Sequence, residues 1–313
     1  VTNKIAVIQK PPVLLDRDAT MASALESAQE AADQGASLLV FPEAFIPGYP
    51  TWIWRLRPGG DIALSAELHA SLLKNAIDLQ RNDLAPLTHA AAEHGITIIC
   101  GINEIDSTYS GTTLFNTVAT IGPDGRILNR HRKLMPTNPE RMVWGSGDAS
   151  GLRVVDTPIG RIGSLICWEC YMPLARYALY TQNIDIFVAP TWDTGDSWIA
   201  SMRHIAKEGG CWVISTATAL QGSDIPDTFP ERDRLFRPDE WINNGDAVII
   251  KPTGDLAAGP LHRQKDILYG EIDIELAHEA RRSLDVAGHY SRPDIFTLAV
   301  DRRPQIPAVF TDE

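Results

Sequence analysis

Three residues of types suited to nucleophilic chemistry stand just past the ends of apolar runs. Glu43 follows Leu39-Val-Phe-Pro42. Lys133 follows the return arm of a hairpin, in His131-Arg-Lys-Leu-Met-Pro-Thr137. Cys167 follows Ile162-Gly-Ser-Leu-Ile166 and precedes a helical stretch. Ligand sites in layered α/β proteins gather at strand ends. A carboxylate, an ammonium and a thiol meeting there would supply a base, a charge stabiliser and a nucleophile. A thiol at a helix N-terminus with an ammonium nearby is expected to have its thiolate favoured. Taken singly, each residue has a plainer reading: a loop or capping glutamate, a surface lysine beside arginines, a core cysteine. Spacing alone does not bring the three together.

Cys167-Trp-Glu-Cys170 also reads as C-x-x-C. A redox dithiol does sit between a strand and a helix, but the intervening glutamate would raise a neighbouring thiol's pKa. A zinc site needs further ligands, whereas Cys100 and Cys211 are isolated and no paired histidines occur. No metal is expected.

The elements that must position these residues alternate. Met21, Leu25, Ala28 and Ala32 fall at helical spacing, Gly35 stops them, and Ser37 to Phe41 reads as a buried strand. Helix then strand recurs at Leu84–His94 and Ile96–Cys100, at Leu174–Tyr180 and Ile184–Ala189, and at Trp198–Glu208 and Cys211–Ile214. Apolar strands alternating with helices predict an α/β layered sheet. Two hairpins break the alternation. One turns at Gly122-Pro-Asp-Gly125; the other turns at Pro252-Thr-Gly-Asp255 and leads to a strand at Ile267–Ile274. The sheet is therefore expected to be mixed. No Gly-x-Gly-x-x-Gly follows a strand and no phosphate-binding lysine loop occurs, so no nucleotide cofactor is expected. Pro47–Gly60 and Gln221–Asn244 read as long irregular segments of the kind that covers a site or an interface.

The chain has 313 residues, with 44% hydrophobic and 22% charged, ordinary values for a globular protein. Its formal net charge of −12 argues against nucleic acid or an anionic membrane as partner. No apolar run is long enough to span a bilayer, and Val1 to Lys10 reads as a strand rather than a signal segment. Four cysteines do not make a disulfide framework, which favours a reducing, cytoplasmic setting. One catalytic domain over residues 1–278 is expected, followed by a tail over 279–313. With Tyr290, Ile295, Phe296 and Phe310 the tail is apolar enough to pack on something.

The chain resembles the nitrilase superfamily. Phe41-Pro-Glu-Ala-Phe-Ile-Pro-Gly-Tyr-Pro50, Arg132-Lys-Leu-Met-Pro-Thr137 and Cys167-Trp-Glu169 match that family's glutamate, lysine and cysteine blocks in order. The likeness extends through Glu140–Asp148, Met202–Gly209 and Gly288–Asp294. Cys-Trp-Glu followed by Tyr171-Met-Pro173 is similar to the nitrilase branch rather than the amidase or N-carbamoyl hydrolase branches, which remain the alternative. Cys170 stands where that branch commonly has asparagine, and Trp192 is bulkier than is usual.

The resemblance implies a four-layer α-β-β-α sandwich with mixed sheets, and homo-oligomers built from dimers, at times as spiral filaments, with the tail at an interface. It implies that Cys167 attacks a nitrile carbon, Glu43 moves the protons, Lys133 stabilises the growing negative charge and Glu140 positions Lys133 or water. Trp168, Trp144, Tyr171, Trp192 and His204 are the pocket or supporting candidates. A strand-end lysine is expected to add little to a core, so Lys133→Ala is expected to fold and yet lose acyl transfer.

Overall fold

The computed structural model describes residues 2–309 and 311. Val1 and Phe310, which sequence reasoning put in a strand and in the packed tail, lie outside them. Five strands come first: β1 (Thr2–Ile8), β2 (Leu38–Val40), β3 (Thr97–Asp106), β4 (Thr113–Ile121) and β5 (Ile127–Arg132). The next seven are β6 (Val154–Thr157), β7 (Gly160–Ser164), β8 (Ile186–Pro190), β9 (Trp212–Thr216), β10 (Ala219–Gln221), β11 (Trp241–Ile250) and β12 (Leu256–His262). Then β13 (Ile267–Asp273) returns to the first sheet, whose order is β13-β1-β2-β3-β4-β5. The second runs β10-β11-β9-β8-β7-β6, with β12 paired to β11. Both sheets are mixed: β1-β2-β3 and β7-β8-β9 are parallel, the rest antiparallel.

The period of two along each strand separates the layers. From β8, Ile186 and Val188 meet Val7, Val40, Ile99 and Val118 of the first sheet in a core between the sheets. Their neighbours Phe187 and Ala189 face outward, onto α4 (Pro173–Tyr180) and α5 (Asp196–Gly209). On the far side, Ala6, Leu39, Ile98 and Cys100 pack under α1 (Arg17–Asp33) and α3 (Ala85–His94). Both helices present alanines there (Ala24, Ala28, Ala31, Ala90, Ala91), which lets them lie close to the sheet. This is an α-β-β-α sandwich, as expected from the resemblance.

Three stretches depart from the sequence reading. The return arm of the second hairpin is β12, whose residues are almost all solvent-facing and carry no apolar period; the expected strand near Ile267 instead pairs with β1 in the other sheet. The irregular stretch ending at Asn244 already contains the start of β11. The sequence reading also left Ile62–Asn75 unassigned. It is a helix, α2, burying Leu64, Leu68 and Leu72 on one face.

The expected boundary at residue 278 falls inside a helix (Glu275–Ser283). Its Arg281 pairs with buried Asp185 at 2.9 Å, so the start of the tail is anchored to the body. Val286, Ala287 and Leu298 pack on the α4–α5 layer, whereas Tyr290, Ile295 and Phe296 are exposed in the single chain.

Candidate active site

Glu43 sits in the loop leaving β2, laid directly across β3. A Cβ at Gly101 of β3 would come within 2.1 Å of the Pro42 carbonyl oxygen and 2.9 Å of Glu43 Cα, so only glycine lets the loop approach this closely. Asn103, two residues on, donates from Nδ2 to the carbonyls of Ala44, Ile46 and Gly48 and staples the segment. The Glu43 carboxyl is buried. Its Oε1 accepts from Asn116 Nδ2 of β4 (2.7 Å) and from Lys133 Nζ (2.7 Å), while its Oε2 has no hydrogen-bond partner.

Lys133 is fully buried, unlike the surface lysine of the plainer reading. Its backbone N–H extends the β4–β5 pairing to Asn116 O, and its ammonium lies between Glu43 and Glu140 Oε2, at 2.7 and 2.8 Å. Glu140 rides on a 3₁₀ turn, Asn138–Met142, opened by Thr137, whose N–H donates to the same Oε2. Its other oxygen accepts from the Tyr49 hydroxyl (2.7 Å), which in turn accepts from Trp54 Nε1 (3.1 Å).

Cys167 begins a 3₁₀ turn, Cys167–Tyr171, after Leu165 and Ile166 lead on from β7, with φ of +55°. A left-handed backbone is uncommon for a side chain other than glycine and marks a strained turn held by its surroundings. Glu169 does the holding. One carboxylate oxygen accepts the Ile166 N–H (2.7 Å), the other the Leu134 N–H (2.6 Å), and both lie near His131 Nε2. A single buried carboxylate thus ties the backbone beside Cys167 to the backbone beside Lys133. Cys170 packs with Leu165 and Leu179 under the helices, whereas Cys167 joins the core between the sheets. The C-x-x-C pair therefore faces two different layers.

Electrostatics correct one sequence expectation. Burial pushes the Cys167 thiol up to about 12; Glu43 adds to this, and Lys133 and the Thr191 hydroxyl offset only part of it. The resting group is thus a thiol, not a thiolate. Burial also pushes Glu43 up, to about 7, against the pull of Lys133. Burial alone would lower Lys133, but Glu43, Cys167 and Glu140 outweigh it and hold the ammonium well above the usual lysine value. A carboxyl poised near neutrality beside a protonated thiol and a fixed cation is an arrangement suited to concerted proton removal.

Cys167 and Glu140 open into a cavity of about 300 Å³ lined by Tyr49, Trp54, Trp168, Trp192, Asp193, Asn243 and Asn244, among others. Tyr49 and Trp192 stack with ring centroids 4.2 Å apart. A larger groove of about 530 Å³, between α2 and the Glu140 turn, contains no thiol.

The model of a carbon–nitrogen hydrolase family matches residues 4–282. The chain belongs to that family. It is 40% identical to the aliphatic nitrilase of Sinorhizobium fredii (strain HH103), over 98% of both chains, and 38% identical to nitrilase 3 of Arabidopsis thaliana, over 99% of this chain and 90% of that one. Among solved structures it is similar to Saccharomyces cerevisiae Nit3, a member of branch 10 of the nitrilase superfamily (TM-score 0.69, 18% identity, covering 92% and 96% of the two chains). A carbon–nitrogen hydrolase from Helicobacter pylori G27 is alike in the same degree (TM-score 0.69, 19% identity, 90% and 92%). These two likenesses bear on the fold.

In this carbon–nitrogen hydrolase, Glu43, Lys133, Glu140 and Cys167 converge from four separate segments, and Trp168 and Trp192 line the cavity beside them. The other three pocket or supporting candidates do not line this cavity. Trp144 is buried edge-on behind Tyr49 and donates to Asn103 Oδ1. Tyr171 packs edge-on against Trp168 and Trp198, outside the cavity lining. His204 lies on the exposed face of α5, paired with Glu208 one turn on, because the helix turns its apolar stripe (Trp198, Met202, Ile205) inward.

Sequence reasoning missed Tyr49, Asn116, Thr191 and the clamping role of Glu169. Asn116 was the most legible of these: an amide inside an apolar strand must find buried partners. Among the described residues no cluster of three His, Cys, Asp or Glu side chains is arranged to hold a metal ion, and no helix is long and apolar enough to cross a membrane.

Proposed function

We propose that this carbon–nitrogen hydrolase is a nitrilase, converting an organic nitrile and two waters to a carboxylic acid and ammonia. The observation that carries the reading is the buried Glu43–Lys133–Glu140 ion cluster beside the Cys167 thiol, in a chain about 40% identical to a named aliphatic nitrilase. Cys167 Sγ bonds to the nitrile carbon as its proton passes to Glu43, whose unpartnered oxygen is free to accept it, and on to the nitrile nitrogen. A thioimidate results. Water deprotonated by Glu43 adds to it, and the tetrahedral species expels ammonia to leave a thioester. A second water releases the acid and restores the thiol. Expulsion of the thiol from the tetrahedral species instead releases the amide. Lys133 balances the negative charge of each tetrahedral state, with the Trp168 N–H as a further donor.

A panel of nitriles and their matching amides, scored for ammonia, acid and amide, tests this. Ammonia from the nitriles but not from the amides is expected. The reverse pattern would favour the amidase or N-carbamoyl hydrolase reading.

Because the base must be ionised to act, kcat/KM is expected to be low at acid pH and to rise through about pH 7 as Glu43 loses its proton. The thiol at about 12 and the more basic ammonium give no descending limb below pH 9. Initial ammonia-release rates from pH 5 to 9 check the sign; a bell centred near 7 would assign the base elsewhere.

We further infer a homo-oligomer in a reducing, cytoplasmic setting. All four cysteines are free thiols, and exposed Leu174, Tyr290, Ile295 and Phe296 lie around one groove of the tail and α4, a surface suited to a second copy.

A further inference from the structure

We propose that the substrate of this site is a nitrile carrying a cationic group, an ammonium, seated against Asp193. This rests on the nitrile reading and narrows it. Among the described residues only two charged side chains, Glu140 and Asp193, line the cavity, and both are acidic. Glu140 is balanced by Lys133, whereas Asp193 has no ion-pair partner among the described residues. Among the described residues no basic side chain lines the cavity, whereas four aromatic ones do: Tyr49, Trp54, Trp168 and Trp192. An acidic group among indole rings is the environment that recognises an organic cation, through charge and the ring quadrupoles together.

The acid is also held in place before any ligand arrives. Its Oδ2 accepts from Trp168 Nε1 (2.8 Å) and its Oδ1 from the Thr194 N–H (2.9 Å), while its own N–H donates to the Thr191 hydroxyl (2.9 Å). The flanking loop is fixed by Asn243 Nδ2 on the Trp192 carbonyl and by Asp246 on the Gly195 N–H. Neutral donors position the carboxylate and leave its charge uncompensated. Trp168 follows the nucleophile in sequence, so its bond to Asp193 sets that charge at a fixed offset from the reacting sulfur.

Three nitriles of matched chain length test the proposal: 5-aminopentanenitrile (cation), hexanenitrile (neutral, a methyl in place of the ammonium) and 5-cyanopentanoate (anion). The wild-type kcat/KM is expected to be about tenfold higher for the cation than for hexanenitrile and about tenfold lower for the anion, the scale of one charge acting across a partly desolvated cavity. In Asp193→Asn, which keeps one acceptor for its neighbours, the cation-to-neutral ratio should fall toward one. A cation no better than hexanenitrile, or a ratio unmoved by Asp193→Asn, would overturn the proposal. If no member of the set releases ammonia, the nitrile reading itself fails and takes this one with it.

Discussion

Cys167→Ala is expected to reduce ammonia release from a nitrile by about four orders of magnitude or more, with the fold retained. Losses of that order follow removal of a covalent nucleophile, because the remaining groups then act on a step that no longer exists. The side chain is small, and its sulfur makes no structural hydrogen bond beyond the Thr191 hydroxyl, so alanine leaves only a modest void. Cys167→Ser is the sharper control. It stays close in size and keeps a hydroxyl able to hydrogen-bond, but places a harder, less nucleophilic atom against a weak electrophile. Intact-mass measurement during turnover should show an acyl or imidoyl adduct on the wild-type chain and none on either variant. Wild-type rates from Cys167→Ala would remove the covalent mechanism altogether.

Lys133→Ala is expected to cost about 3–5 kcal/mol of stability as well as activity, whereas the sequence reading expected a strand-end charge to add little to the core. The ammonium is buried between Glu43 and Glu140, and removing it leaves two carboxyls facing each other with no counter-charge. Breaking a buried ion pair from one side carries a penalty of this size. Urea unfolding followed by tryptophan fluorescence should show the midpoint displaced downward. Adding Glu140→Gln to Lys133→Ala should recover part of that loss, since one unpaired charge is then gone, without recovering activity. A single variant as stable as the wild type would mean that the buried ion cluster makes no net contribution to stability.

Both expectations turn on facts that differ in how far they can be read from the chain. The helix–strand alternation, the mixed character of the sheets and the strand-end positions of Glu43, Lys133 and Cys167 are local properties. Apolar period, glycine stops and Pro-Asp-Gly turns each act over a few residues, so a reader of the sequence has what the backbone has. The strand β12 escaped because it lies on the surface, where packing gives it no apolar period, and its place is set by pairing with β11.

Local pattern carries the helix–strand alternation, and the motifs that resemble the nitrilase superfamily carry the four layers and the identity of the reactive groups. The protonation of these groups and the residues around them come from the folded packing. The thiol stays protonated, Glu43 sits near neutrality and Lys133 stays charged because burial strips each group of water and leaves it to the others' fields. The same packing brought Tyr49, Asn116 and Asp193 to the site and turned His204 to solvent. Desolvation and Coulomb energy depend on distances between atoms far apart along the chain, and those distances exist only once the two sheets have closed on each other.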